Sequence, residues 1–209
     1  SPGGFASASK GMIVHLKGKT SHAAEPENGN NPAPAVAALL QKFIDLPKSD
    51  AFKNFTLLTI IHVKLGEVAF GTSAGDAVVM ATLRSYRNHD MELLSSRAVE
   101  IAKDIAQKAK LEISIDWQEE FYATVNSQEG NAIIEEAARR NNFDFQRIKH
   151  PFRWSEDFSY FTNQYNGAMF GLGAGINHPL LHNPDYDFPE EILNTGIAMY
   201  KEICNQLIY

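Results

Sequence analysis

Two histidines stand where their side chains could do chemistry. His182 lies in LeuLeuHisAsnProAspTyrAspPheProGluGluIle, residues 180 to 192, after an apolar run that ends in a Gly-rich turn and before AsnPro. That context puts it on a loop leaving a buried strand, and loops at strand ends are where sites are built. An imidazole there stands where chemistry could use it. An ordinary turn histidine fits the same residues. His178, four residues upstream and also followed by proline, is a competitor for the same role. His22 lies in GlyLysThrSerHisAlaAlaGluPro, residues 18 to 26, at the end of a strand-like run. A third stretch, ArgTrpSerGluAspPheSerTyrPhe at 153 to 161, suits a helix opening near Ser155, with Glu156 and Asp157 at the positive end of its dipole.

The elements that must carry these residues fall into two parts. Residues 1 to 10 are a small-residue connector without periodicity, and residues 12 to 19 alternate as a half-buried strand with Met12, Val14 and Leu16 facing one way. Ala33 to Leu46 follows as a helix with Pro34 near its first turn and Val36, Leu39, Leu40, Phe43 and Ile44 on its apolar face. Strand-like runs at 56 to 65 and 76 to 86 precede an amphipathic helix from about Met91 to Lys110, and GluIleSerIleAspTrp closes the series as a strand. The order βαββαβ is that of a ferredoxin-like sandwich, a complete small domain.

After about Phe121 the texture changes. A helix at 129 to 141, the short helix near Ser155, a strand in GlyAlaMetPheGlyLeuGly, the His182 loop and a last helix supply too few strands for an independent sheet. Glu135 and Glu136 are expected in solvent, and Cys204 on the last helix as a small buried apolar residue. The Gly-rich strand is apolar on both faces, as in a buried parallel sheet, and needs a partner.

Composition limits the function classes. A formal net charge of -6 with no basic stripe gives no reason to expect nucleic acid. The longest apolar runs fall far short of the ~20 residues of a membrane span. The single cysteine excludes an internal disulfide and fits a reducing, cytoplasmic compartment.

Read together, the GlyLysThrSerHisAlaAla turn, GlyGluValAlaPheGlyThrSer before a strand ending ThrLeuArg, SerGluAspPhe, the Gly-rich strand and LeuHisAsnProAspTyrAspPhe resemble the M20 family of metallopeptidases and amidohydrolases, which includes aminoacylases and auxin-conjugate hydrolases. The resemblance spans nearly the whole chain. It implies an α/β catalytic domain interrupted by an inserted lid, with residues 11 to 120 as the lid or dimerisation domain, 121 to 209 as the returning part of an incomplete catalytic domain, and 1 to 10 as the connector from its missing half. The implied cofactor is a divalent metal pair, two Zn²⁺, and the implied substrate an N-acyl amino acid or small peptide. His182 matches the last metal ligand of the family. His22 matches a residue that reaches from the lid into the other subunit's site and stabilises the oxyanion, so a homodimer through the lid is implied as well. The family's other ligands have no match here: GluGlu at 119 to 120, 135 to 136 and 190 to 191 lies in the wrong contexts.

The chain departs from the pattern in one place. GlyThrSerAlaGlyAsp stands where many members have an Asn before the third lid strand, which puts that substrate contact in doubt. Arg84 on the following strand reads either as a substrate carboxylate clamp or as a surface arginine. Two function classes stay open: part of a metal-dependent amidohydrolase, inactive as this chain alone, and a noncatalytic dimerisation module.

Overall fold

The computed structural model describes residues 3–208. The chain opens with β1 (Gly3–Ala6) and, after one residue, β2 (Ala8–Lys17). This corrects the expected connector. Glycine and alanine carry no period-2 signal, yet β1 pairs antiparallel with a later strand. In β2 the expected inward set Met12, Val14 and Leu16 is buried, because alternate side chains of a strand share a face.

A two-residue strand, β3 (Ser21–His22), precedes α1 (Ala33–Asp45). Val36, Leu39 and Phe43 of α1 are buried at helical spacing, whereas Ile44 stays exposed. Then come β4 (Thr56–Leu65), β5 (Thr72–Ser73) and β6 (Asp76–Ser85). The long helix α2 (Asn88–Lys108) returns to β7 (Glu112–Phe121). The sheet order is β4-β6-β2-β7, every pair antiparallel. Both helices contribute to its core: Leu39 and Phe43 of α1 and Leu94, Ala98, Ala102 and Ala106 of α2 join Met12, Val14, Leu16, Val79 and Leu83 of the sheet in one cluster. Small alanines on α2 let it lie close to the strands.

The second part is thinner. β8 (Thr124–Asn126) pairs with β1, and α3 (Gln128–Arg140) starts on a Ser127 cap whose hydroxyl accepts from the Gly130 N–H at 3.0 Å. A short α4 (Ser159–Thr162) and α5 (Ile192–Ile208) complete the elements. The hydrophobic cluster of this part has only Ala137, Ala138 and Met199 as buried members among the described residues, where α3 meets α5.

Several expectations are corrected in this part. The strand expected in residues 167–173 is not assigned as strand. It is held to β8 by side-chain bonds: the Asn126 amide takes the place of a ladder rung, donating to Met169 O and accepting from Met169 N, both at 2.8 Å. The helix expected from Ser155 begins at Ser159 without a side-chain cap, because the Ser155 hydroxyl accepts from Arg84 instead. Glu135 is not left to solvent: Arg147 grips both its oxygens at 2.6 and 2.7 Å, which ties the extended segment before residue 148 to α3. Cys204 is exposed, because α5 turns Met199 and Ile203 toward α3 and Cys204 away from it.

Candidate functional site

The His22 turn is built by close backbone approaches. Gly18 leaves β2 with its N–H on Gly75 O at 2.7 Å, and a Cβ at Gly18 would stand 2.0 Å from Asn30 O, so no larger residue fits. Lys19 and Asn30 exchange two backbone hydrogen bonds, and the Asn30 amide reaches the carbonyls of Ala109 and Lys110 at the end of α2. Asn31 accepts from the Ala33 N–H at 2.8 Å, closing the start of α1, and donates to the Ser73 hydroxyl at 3.0 Å. The turn is thereby held to β2, both helix ends and β5. His22 itself pairs with Thr72, and Ala23 N–H donates to Gly71 O at 3.0 Å.

Within the turn the imidazole is oriented. The Ala24 N–H donates to Nδ1 of His22 at 3.1 Å, and the Glu25 N–H to the His22 carbonyl at 2.9 Å. A nitrogen that accepts carries no proton, so the neutral ring holds its hydrogen on Nε2. His22 is exposed, and its Nε2–H has no partner among the described residues.

His182 sits on the long loop before α5 at φ 71°, a left-handed backbone uncommon outside glycine. Asn183 N–H donates to Leu180 O at 3.0 Å and Tyr186 N–H to Asn183 O at 3.0 Å, so two consecutive turns present the side chain to solvent. The competitor differs. His178 is half-buried, its Nδ1 lies 3.0 Å from Pro179 O, and its ring stands edge-on to Tyr186 with centroids 5.1 Å apart. His182 has no such engagement among the described residues.

A metal pair requires more than one imidazole. Among the described residues no group of three or more His, Cys, Asp or Glu gathers as a metal cluster. His182 is one donor, and the described residues gather no set around it that fits two ions.

Arg84 points to packing. Its Nη1 donates to Arg153 O at 2.9 Å and to the Ser155 hydroxyl at 3.1 Å, bridging β6 to the second part of the chain. His22, His182 and Arg84 are not joined by any described contact. Nor do His22 and His182 line the cavity of about 550 Å³ between α3, α5 and residues 169–173, whose walls include Ile134, Phe143, Phe170, Leu172 and Met199. Sequence reasoning missed Asn31, although an Asn two residues before a helix start is a recognisable cap, and it missed the Asn126 clamp, which leaves no local signal.

The fold places the chain among mixed α/β proteins with antiparallel sheets. A family model described as peptidase family M20/M25/M40 matches residues 8–206, and the chain belongs to that family. It is 29% identical over 198 residues to an N-acetyldiaminopimelate deacetylase of Shouchella clausii, covering 92% of this chain and 51% of the relative. The corresponding deacetylase of Oenococcus oeni is 26% identical over 196 residues, covering 91% of this chain and 50% of that protein. The chain thus spans about half the length of these curated relatives. In fold it is similar to the Bacillus subtilis YXEP protein, described as a dinuclear metal binding peptidase from the M20 family, with a TM-score of 0.75 at 14% identity over 100% of this chain and 52% of that one. The aminopeptidase PepT of Bacillus cereus superposes with a TM-score of 0.73 at 17% identity, over 98% of this chain and 55% of that one.

Proposed function

We propose that, in a protein of its relatives' length, this chain supplies the lid and the closing part of the catalytic domain of a metal-dependent amide hydrolase acting on N-acyl amino acids or small peptides. Residues 11 to 120 are the ferredoxin-like lid and 121 to 209 the returning catalytic part. The β4-β6-β2-β7 order with α1 and α2 in one core supports the first assignment, and the segment 169–173, which lines a cavity with α3 and α5, supports the second. The substrate class finds support in the deacetylase relatives, which are named for an N-acylated amino acid.

The observation that carries this reading is the His22 turn, which fixes Nδ1 and leaves Nε2–H as a free donor on an exposed edge. A preorganised N–H is what the oxyanion of a tetrahedral intermediate requires. His22 donates that hydrogen bond in the neighbouring subunit's site. His182 presents its imidazole as one ligand of a divalent metal site completed by residues outside this chain, while His178 stays with Pro179 and Tyr186. His182 would hold one ion of such a site, two Zn²⁺ by expectation, and the ions would supply Lewis acidity toward the amide carbonyl and the attacking water. Arg84 holds β6 to residues 153–155 in preference to clamping a substrate carboxylate. The homodimer forms through the lid, where Ile61, Val63 and Leu65 on the edge strand β4 are exposed apolar residues. The compartment is cytoplasmic, in keeping with the single cysteine.

The test is His182→Ala in the longer protein. Loss of hydrolysis together with one metal equivalent supports the reading, and wild-type turnover with full metal content contradicts it. A noncatalytic dimerisation module is the second reading, favoured by the large self-contained core that runs from Ala8 to Ala123. It predicts no hydrolysis and no metal requirement in the longer protein.

A further inference from the structure

A second cavity, of about 460 Å³, opens where the two parts of the chain meet, and its chemistry differs from everything above. One wall is the turn from β6 into α2, with Tyr86, Arg87 and Asn88. Asn54, Lys149 and His150 line the cavity as well. Arg87, Lys149 and His150 have no side-chain hydrogen bond, ion pair or ring contact among the described residues. Three arginines of the second part, Arg139, Arg140 and Arg147, pair with Glu136, Glu202 and Glu135, and Arg153 lies over the Phe55 ring. No carboxylate lines the cavity. Asp90 nearby is 7% exposed, and its Oδ2 is occupied by the Asn54 amide at 3.1 Å.

In a chain of net charge -6, two permanent cations and an imidazole left unpaired around one cavity are a local reversal of sign. A concave surface lined by one sign focuses the field and concentrates counter-ions. Guanidinium and ammonium groups bind oxyanions by charge-assisted hydrogen bonds, the arginine through a planar fork. Tyr86 lines the same cavity, and a phenolic hydroxyl is able to donate as well.

We infer that the cavity between residues 86–88 and 149–150 binds a small oxyanion, the phosphate or carboxylate group of a metabolite, which Arg87 and Lys149 grip from the two parts of the chain. The site contains neither His22 nor His182, so it stands or falls apart from the hydrolase reading. Its position across the junction means that an occupant ties β6–α2 to the segment before Pro151, the same two parts that Arg84 joins through Arg153 and Ser155.

The experiment uses the ¹⁵N-labelled 209-residue chain, titrated separately with inorganic phosphate and with acetate at ionic strength held constant with chloride. The expected result is a saturable shift of the amides of residues 86–88 and 149–150 together. In Arg87→Gln/Lys149→Gln the affinity falls at least about tenfold, while the rest of the amide spectrum keeps its folded pattern. Both side chains are exposed and structurally unpaired, so the variant is expected to fold. Binding of either anion supports the site, and the tighter of the two names the group. Overturning results are the absence of saturation with both anions, shifts that chloride alone reproduces, and an affinity that the double variant leaves unchanged.

Discussion

The backbone N–H of Ala24 donates to Nδ1 of His22 at 3.1 Å, so a main-chain group two residues away decides which nitrogen of the ring carries the proton. That bond needs no particular side chain at position 24. It converts an exposed histidine into an oriented Nε2–H donor, which is the property the proposed oxyanion role uses.

The tautomer is directly measurable. Imidazole ¹⁵N–¹H correlation spectra of the neutral chain are expected to show His22 with its proton on Nε2 and a pyridine-like Nδ1. A protonated Nδ1 in the neutral ring would mean that the Ala24 bond is not made in solution. This readout requires no activity.

The core of the first part rests on fully covered side chains. Phe43 is 0% exposed in the cluster between α1, α2 and the sheet. Phe43→Ala is expected to lower stability by about 3–5 kcal/mol, the usual cost of emptying a buried phenylalanine site. Urea unfolding followed by circular dichroism checks it, and a loss under about 1 kcal/mol would show that the site collapses around the gap.

The Glu135–Arg147 pair makes stability depend on pH in a known direction. The Arg147 hydrogen bond, with smaller help from Asn131, holds the Glu135 carboxyl below the usual carboxylate range despite some desolvation. A depressed folded-state pKa contributes stability that is present above the unfolded carboxylate pKa, about 4.3, and is lost as pH falls through the lowered folded value. Arg147→Gln is therefore expected to unfold at lower urea than the parent at pH 7, with the difference shrinking toward about pH 3. An equal difference at both pH values would assign the effect of Arg147 to packing.

The first part of the fold was legible because its signals are local. Alternation and glycine punctuation place strands at 56 to 65 and 76 to 86, and the structure has them at Thr56–Leu65 and Asp76–Ser85. Likewise the helical stripe read from Met91 to Lys110 corresponds to α2, Asn88–Lys108, with its start hidden because Arg87 is not a capping residue type. The second part resists because its order depends on distant partners. β1 is visible only through β8, and residues 167–173 are apolar enough for a strand but are held by the Asn126 amide rather than by a ladder. The site divides in the same way. The turn around His22 could be suspected from its residues, but its hydrogen-bond network joins segments up to 80 positions apart, as between Asn30 and Lys110. At His182 the sequence offers an imidazole on a loop, and no metal-type donor cluster among the described residues fixes its role.

The central claim is that His22 and His182 serve one reaction from different subunits, and mixing tests it most directly. In the longer protein, His22→Ala is expected to lower kcat by about 10²-fold, as for loss of an oxyanion donor, with metal content unchanged, and His182→Ala to abolish turnover. Exchanged heterodimers of the two variants contain one site with both histidines intact. The account predicts that activity returns on mixing, toward half that of the parent per dimer. Verified heterodimers with no regained activity would contradict it and place His22 in the structure of its own subunit.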